Sequence, residues 1–207
     1  MENMTPQPKH TTWTKLAHAG LALAVIIQLM SSLAMRGPRN DRPGDWLYDI
    51  HQYSGLSALL FATAFWLVLL FRRRGTVPAL LFPWFSRTGR QKLWRDMVAH
   101  ALALRFLRLP AYDDHAPLSS AVHGLGLLLM SFLAASGAAY YAVALVGSGQ
   151  AVPVRLILFA HTTFANVAWA YLIGHAFLGA LHHYLRHMSL GDMWALHRPV
   201  SSKGDRS

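Results

Sequence analysis

The last apolar segment of the chain contains, at residues 161–184, the stretch HTTFANVAWAYLIGHAFLGALHHY. Two of its histidines, His161 and His175, are fourteen residues apart in a run, 156–185, that lacks Asp, Glu, Lys and Arg. Fourteen residues make almost four turns of α-helix, which places both histidines near one face, roughly 21 Å apart along the axis. Because this separation approaches the depth of a bilayer core, the spacing predicts two metal centres at two depths of a membrane.

Three other segments also lack charged side chains over enough residues to cross a bilayer. The four predicted spans are 16–35, 50–71, 118–146 and 156–185. A span needs about 20 mostly apolar residues, and the chain is 54% hydrophobic and only 14% charged. A soluble helical bundle is the alternative, but charge-free runs of this length would leave it little surface to solvate. We therefore predict an all-α membrane protein, a four-transmembrane-helix bundle whose single domain covers 16–185.

The basic residues are distributed unevenly around these spans. Fifteen of the 19 lie in the N-terminal segment 1–15, the connection 72–117 or the tail 186–207, which all fall on one side of a four-span protein. The positive-inside rule therefore predicts that both termini and the connection are cytoplasmic. Within the connection, residues 89–108 are predicted to form an amphipathic helix on the lipid surface. Because the net charge of +10 follows membrane topology, it does not indicate nucleic-acid binding.

Two further histidines lie near the starts of other spans, His18 in the first and His51 in the second. Successive spans run in opposite directions, so the histidines are expected to pair by depth. We call His51 and His161 the outer pair, and His18 and His175, nearer the cytoplasm, the inner pair. Each pair is placed to hold one haem iron from opposite sides, and ionisable groups inside a membrane are usually functional.

The residue types around these histidines favour haem over other metals. The chain has no cysteine, which excludes Cys-ligated iron–sulfur clusters and covalently attached haem. Bis-histidine copper or zinc sites would use the same four histidines, but such sites usually need further Cys, Met or carboxylate ligands. Small residues near the histidines suit a porphyrin slot, although they also simply let membrane helices approach closely; they are Gly55, Ala58, Ala62, Ala165 and Ala168.

Two more histidines and one arginine are candidates for substrate contacts. His182, seven residues beyond His175, is placed to donate a hydrogen bond or a proton to a quinone, with interfacial anchoring as the alternative. His123, near the start of the third span, is a candidate contact for a quinone or a haem propionate, with a structural role as the alternative. Arg155, six residues before His161, is placed to steer an anionic substrate towards the outer pair.

Four stretches that contain these histidines resemble the prokaryotic cytochrome b561 family. The family includes the superoxide oxidase type and the cytochrome b subunits of nickel-iron hydrogenases and formate dehydrogenases. The matching stretches are WTKLAHAG at 13–20, YDIHQYSG at 48–55, VHGLG at 122–126 and the stretch 161–184. The resemblance implies a four-helix bundle in the bacterial inner membrane that binds two haem b. His18 and His175 would ligate the cytoplasmic-side haem, and His51 and His161 the outer one. It also implies a quinone site beside the cytoplasmic-side haem, where His182 matches the first histidine of the His-His-Tyr ending.

The function that follows is electron transfer between a donor at the outer face and the quinone pool, with ubiquinone or another quinone as the partner substrate. In one version the chain is an enzyme that oxidises superoxide to oxygen and reduces ubiquinone. In another it is the cytochrome b subunit of a periplasmic dehydrogenase or hydrogenase. A third class, a non-redox transporter or metal-binding membrane protein, would use the histidines for protons or a divalent cation. No span shows the broken Gly/Pro pattern of a central transport site.

Overall fold

The computed structural model describes residues 11–39, 42–71, 78–106, 116–146 and 152–185, and its regular elements are helices. In chain order they are α1 (Thr12–Ser32), α2 (Trp46–Phe71), α3 (Pro78–Leu81), a 3-10 turn (Pro83–Phe85), α4 (Arg87–Arg105), α5 (Pro117–Leu145) and α6 (Val152–Tyr184). Four of these helices, α1, α2, α5 and α6, are long and apolar enough to cross a membrane. The described part of the chain is therefore the expected all-helical architecture with four candidate transmembrane helices.

Three of the long helices begin one turn before the predicted spans, and at two of them a polar side chain that precedes the charge-free run caps the helix. The hydroxyl of Thr11 accepts the amide hydrogen of Thr14 at 3.2 Å at the start of α1. Asp45 Oδ1 accepts the amide hydrogen of Tyr48 at 2.9 Å at the start of α2. Such caps satisfy backbone donors that have no partner within the helix. The third such helix is α6, which begins at Val152 rather than at 156.

The predicted cytoplasmic segments are only partly covered by the structure. Residues 1–10 of the N-terminal segment, the tail 186–207, and residues 72–77 and 107–115 of the connection lie outside the described residues. The amphipathic helix expected at 89–108 is α4, which begins two residues earlier and ends at Arg105. The placement of these segments in the cytoplasm remains a prediction.

The main core joins all four long helices through mostly small and aliphatic side chains. α1 packs along α2, while α5 packs against both α2 and α6. The buried members of this core are Leu21, Ala24, Val25, Leu29, Ala58, Ala62, Met130, Ala134 and Ala168. Small residues at these contacts let helix backbones approach closely. By contrast, α6 buries only Val154 and Ala168 of its 33 residues, so it packs mainly on α5 and leaves space towards α1 and α2.

A side chain of α4 caps the start of α5. Asp96 Oδ2 accepts the amide hydrogen of Leu118 at 2.9 Å, and Asp96 Oδ1 lies 3.1 Å from Nδ1 of His100. The residue that precedes α5 is Ala116, which has no side-chain hydrogen bond to offer. Asp96 therefore supplies both the missing acceptor and a negative charge at a helix N-terminus.

We expect the Asp96→Ala variant to lose about 1 kcal/mol of unfolding free energy, the usual contribution of a helix cap. The change is measured as a lower thermal midpoint in detergent, together with faster hydrogen exchange at the Leu118 amide. Arg95→Ala is the matched control, because Arg95 is the exposed neighbour of Asp96 on the same helix. Equal midpoints and equal exchange rates in the two variants would show that the cap contributes nothing.

Candidate functional site

The two histidines of the outer pair face each other between α2 and α6. The ring centroids of His51 and His161 are 6.4 Å apart, and the ring planes are at 83°. A metal–imidazole bond is about 2 Å long, so two imidazoles on opposite sides of one iron have centroids about 6 Å apart. The structure therefore brings these two residues together at the separation that a bis-histidine iron site needs.

Both rings of the outer pair are held through their Nδ1 atoms by a neighbouring helix. Nδ1 of His51 lies 3.1 Å from Oγ of Ser31 and 3.2 Å from the backbone oxygen of Gln28, both on α1. Nδ1 of His161 lies 2.9 Å from Oγ of Ser136 on α5. With Nδ1 occupied in this way, Nε2 is the ring atom left to bind a metal.

A cavity of about 380 Å³ lies around the outer pair and is lined by all four long helices. Its size falls within the range of about 300–1,000 Å³ that is usual for cofactor pockets. Two glycines, Gly55 and Gly137, form part of its wall. A Cβ atom at Gly137 would lie only 3.2 Å from Cε1 of His161, and one at Gly55 only 3.3 Å from the side-chain nitrogen of Gln28. The glycines therefore keep side chains out of the space next to the outer pair.

These features fit a planar iron porphyrin held without a covalent bond. The two facing imidazoles would supply ligands for the iron, and most of the lining is aliphatic or aromatic. Among the described residues, no three His, Cys, Asp or Glu side chains converge as a group that could hold a metal ion. A structural zinc site usually has four such ligands. The donor set at the outer pair therefore favours haem over the copper or zinc alternative.

The inner pair has a different environment. His175 stacks on Tyr171 at 5.4 Å with the planes at 9°, and meets His123 edge-on at 5.5 Å and 83°. His18, on α1, is partly buried, and its Nδ1 atom is fully enclosed. The structure thus places His123, a candidate quinone or propionate contact, directly against the predicted inner ligand. The pairing of His18 with His175 remains a prediction.

Aromatic rings cover two glycines close in sequence to the histidines of this region. A Cβ atom at Gly20, two residues after His18, would collide with the ring of Phe61. A Cβ atom at Gly126, three residues after His123, would collide with the hydroxyl end of Tyr171. Each glycine therefore leaves room for an aromatic side chain of a neighbouring helix.

The remaining candidates lie at opposite ends of α6. Arg155 is exposed in the first turn, whereas His182 is partly buried in the last turn beside the exposed His183. Arg155 and His182 are 27 residues apart, about 40 Å along a helix axis. The structure therefore puts the proposed steering charge and the proposed quinone contact at the two ends of a membrane-spanning helix.

Sequence reasoning missed the two serines that contact the outer pair and the tyrosine that stacks on His175. Ser31 and Ser136 have a weak signal in the sequence, since each is a polar residue within an apolar span. Their partners depend on how each helix is rotated about its axis, and depth alone does not supply that rotation. Tyr171 has a stronger signal, because residues four apart on a helix share a face and Tyr171 precedes His175 by four.

Comparison with known proteins supplies the family. The family model described as prokaryotic cytochrome b561 matches residues 9–195, a region that contains all four long helices and the four paired histidines. No curated protein and no solved structure gives a significant match to the chain. Members of this family are membrane proteins that carry haem b in electron transfer. The chain therefore belongs to the prokaryotic cytochrome b561 family and is a multi-pass membrane b-type cytochrome that acts in electron transfer.

Proposed function

We propose that the chain binds two haem b groups and passes electrons between a donor at the outer face and a quinone at the cytoplasmic face. The outer pair, His51 and His161, would hold one haem, and the inner pair, His18 and His175, the other. The observation that supports this most directly is the 6.4 Å separation of the outer imidazoles beside a cavity of about 380 Å³. The excess of basic residues in 1–15, 72–117 and 186–207 supports a cytoplasmic location for both termini.

The haems, when bound, supply one-electron chemistry, and the chain supplies position and environment. His51 on α2 and His161 on α6 would hold the outer haem iron, in a cavity whose lining is mostly aliphatic or aromatic. His161 and His175 are fourteen residues apart on one rigid helix, which holds the two sites roughly 21 Å apart along its axis. α6 thereby sets the distance between the outer and inner sites.

The quinone is assigned to the end of α6 that carries His182. Reduction of a quinone to a quinol takes two electrons and two protons, so a quinone site needs a group that hydrogen-bonds a carbonyl oxygen and delivers protons. His182 is partly buried in the last turn of α6, seven residues beyond His175. His123 lies against His175 and is a second candidate contact. A histidine suits this role because it exchanges protons near neutral pH.

Superoxide is the electron donor that we propose for the outer face. Two superoxide anions would each lose one electron to become oxygen, while one ubiquinone gains both electrons and two protons to become a quinol. The exposed guanidinium of Arg155 lies on the same helix as His161, six residues before it, and a positive charge there would raise the encounter rate of a small anion. The alternative donor is a periplasmic dehydrogenase or hydrogenase subunit.

We expect Arg155→Glu to slow superoxide-driven haem reduction by about tenfold at low salt, which is the lower end of the effect that steering charges have on association rates. The measurement is stopped-flow absorbance of the haem α-band in the purified protein after addition of superoxide. Arg87→Glu, an exposed arginine at the start of α4, is the matched control and should leave the rate unchanged. Equal rates in both variants would count against superoxide as the donor and favour a protein donor.

A further inference from the structure

The two serines that contact the outer pair are arranged in the same way on two different helices. Ser31 on α1 meets Nδ1 of His51 on α2 at 3.1 Å, and Ser136 on α5 meets Nδ1 of His161 on α6 at 2.9 Å. The backbone carbonyl oxygen of Gln28, three residues before Ser31, also lies 3.2 Å from Nδ1 of His51. Each imidazole therefore faces a serine hydroxyl from the adjacent helix, and His51 faces a backbone carbonyl as well.

The direction of these hydrogen bonds follows from how many hydrogens each group has. Ser31 Oγ lies 2.7 Å from the carbonyl oxygen of Ile27, and Ser136 Oγ lies 3.1 Å from that of Leu133. A hydroxyl has one hydrogen, and a carbonyl can only accept. When a serine donates its hydrogen to this carbonyl of its own helix, its Oγ can accept a hydrogen bond from the histidine.

The carbonyl oxygen of Gln28, 3.2 Å from Nδ1 of His51, requires the same direction. Two hydrogen-bond acceptors cannot both bond to a ring nitrogen that carries no hydrogen. The hydrogen of neutral His51 is therefore on Nδ1 and its lone pair is on Nε2, and the matching serine contact of His161 suits the same tautomer. This is the tautomer in which Nε2 binds a metal.

We propose that Ser31 and Ser136 are positioning residues that hold both outer imidazoles in the Nε2-ligating tautomer and tune the iron through Nδ1. This role rests on the proposed function of the outer pair as axial haem ligands. A hydrogen bond donated from Nδ1–H to an oxygen makes the imidazole a more basic ligand and fixes its orientation. A more basic ligand favours ferric over ferrous iron, so these serines lower the midpoint potential of the outer haem.

The serines also link the ligand-bearing helices to the rest of the bundle. Ser31 is buried, with a relative exposure of 4%, and each serine lies on the helix packed beside its histidine. The contacts therefore fix the rotation of His51 relative to α1 and of His161 relative to α5. This fixation is of most use for His161, because α6 buries few of its own residues.

The test compares Ser31→Ala and Ser136→Ala with Ser31→Thr and Ser136→Thr, which keep a hydroxyl. Ser57→Ala is the control for loss of a serine, because Ser57 is exposed and its hydroxyl bonds the Tyr53 carbonyl at 2.9 Å. The readouts are haemin titration of the apoprotein, the midpoint potential of each haem, and the low-spin ferric electron paramagnetic resonance spectrum. None of these requires turnover.

Loss of a side chain that hydrogen-bonds a metal ligand typically weakens metal binding by about 10- to 100-fold. We expect Ser136→Ala to raise the midpoint potential of the outer haem alone, by about 59 mV if ferric binding weakens tenfold relative to ferrous. The outer-haem resonance should shift as well, and threonine at either position should restore the wild-type values. Ser57→Ala should match the wild-type protein throughout.

Alanine variants with wild-type potentials, spectra and haem affinity would overturn the positioning role. So would a shift that threonine fails to reverse, because that result would indicate a packing defect. Failure of the ligand assignment itself has a separate signature, since an outer haem retained in His161→Ala would show that the outer pair does not hold it.

Discussion

The His161→Ala variant should carry one haem per chain, against the two that we propose for the wild-type protein. His161 faces His51 at a centroid separation of 6.4 Å, and an alanine at position 161 removes one of the two ligands proposed for the outer haem. The inner haem would be held by His18 and His175, so it should stay bound in this variant. The measurement is the pyridine haemochrome content of the purified protein against chain concentration, together with a redox titration that resolves the two midpoints.

His183→Ala is the matched control for this prediction. His183 lies on the same helix as His161 but is exposed in the last turn, so its removal should leave both haems in place. Two haems per chain in His161→Ala, with wild-type midpoints, would show that the outer pair is not the ligand set. Loss of both haems would instead indicate that the outer site is needed for the bundle to form.

Gly137→Val should also remove or weaken the outer haem, although it changes no ligand. A Cβ atom at this position would already lie 3.2 Å from Cε1 of His161, and valine adds two methyl groups beyond it. Overpacking of this kind costs about 1–3 kcal/mol, which corresponds to roughly 5- to 150-fold in a binding constant. We therefore expect a matching loss of haem affinity at the outer site, measured by haemin titration of the apoprotein.

The control for the glycine prediction is Gly174→Val, which makes the same change on a spanning helix. A Cβ atom at Gly174 meets nothing within 4 Å, so the added side chain has open space. Equal haem affinity in Gly137→Val and Gly174→Val would contradict the view that Gly137 shapes the outer cavity. A loss confined to Gly137→Val, with the inner haem unchanged, supports it.

The sequence predicted the number and approximate positions of the long helices because charged side chains are costly inside a bilayer. It placed the start of α2 at 50 instead of Trp46, since the cap residue Asp45 and the first turn of the helix, which contains Asp49, precede the charge-free run. The free energy of transfer from water to lipid decides which residues can span a membrane. Hydrogen bonding to free backbone amides decides where the helix begins. The two criteria differ by about one helical turn here.

The candidate site was predicted in depth but not in lateral arrangement. Helix direction and residue count were enough to put His51 and His161 at one level, and the structure brings their rings together. The contact between His123 and His175 was not expected, because depth does not specify which helices are neighbours. The contacts of Ser31 and Ser136 depend on helix rotation, which is set by packing of buried residues across the bundle.

We propose that four histidines, His18, His51, His161 and His175, form two haem sites at two depths of the membrane. The dithionite-reduced minus oxidised spectrum of the purified wild-type protein, with haem counted per chain, tests this proposal. We predict a b-type α-band and two haems per chain. A protein without haem, or with a single haem per chain after expression with haem supplied, would contradict the proposal of two haem sites.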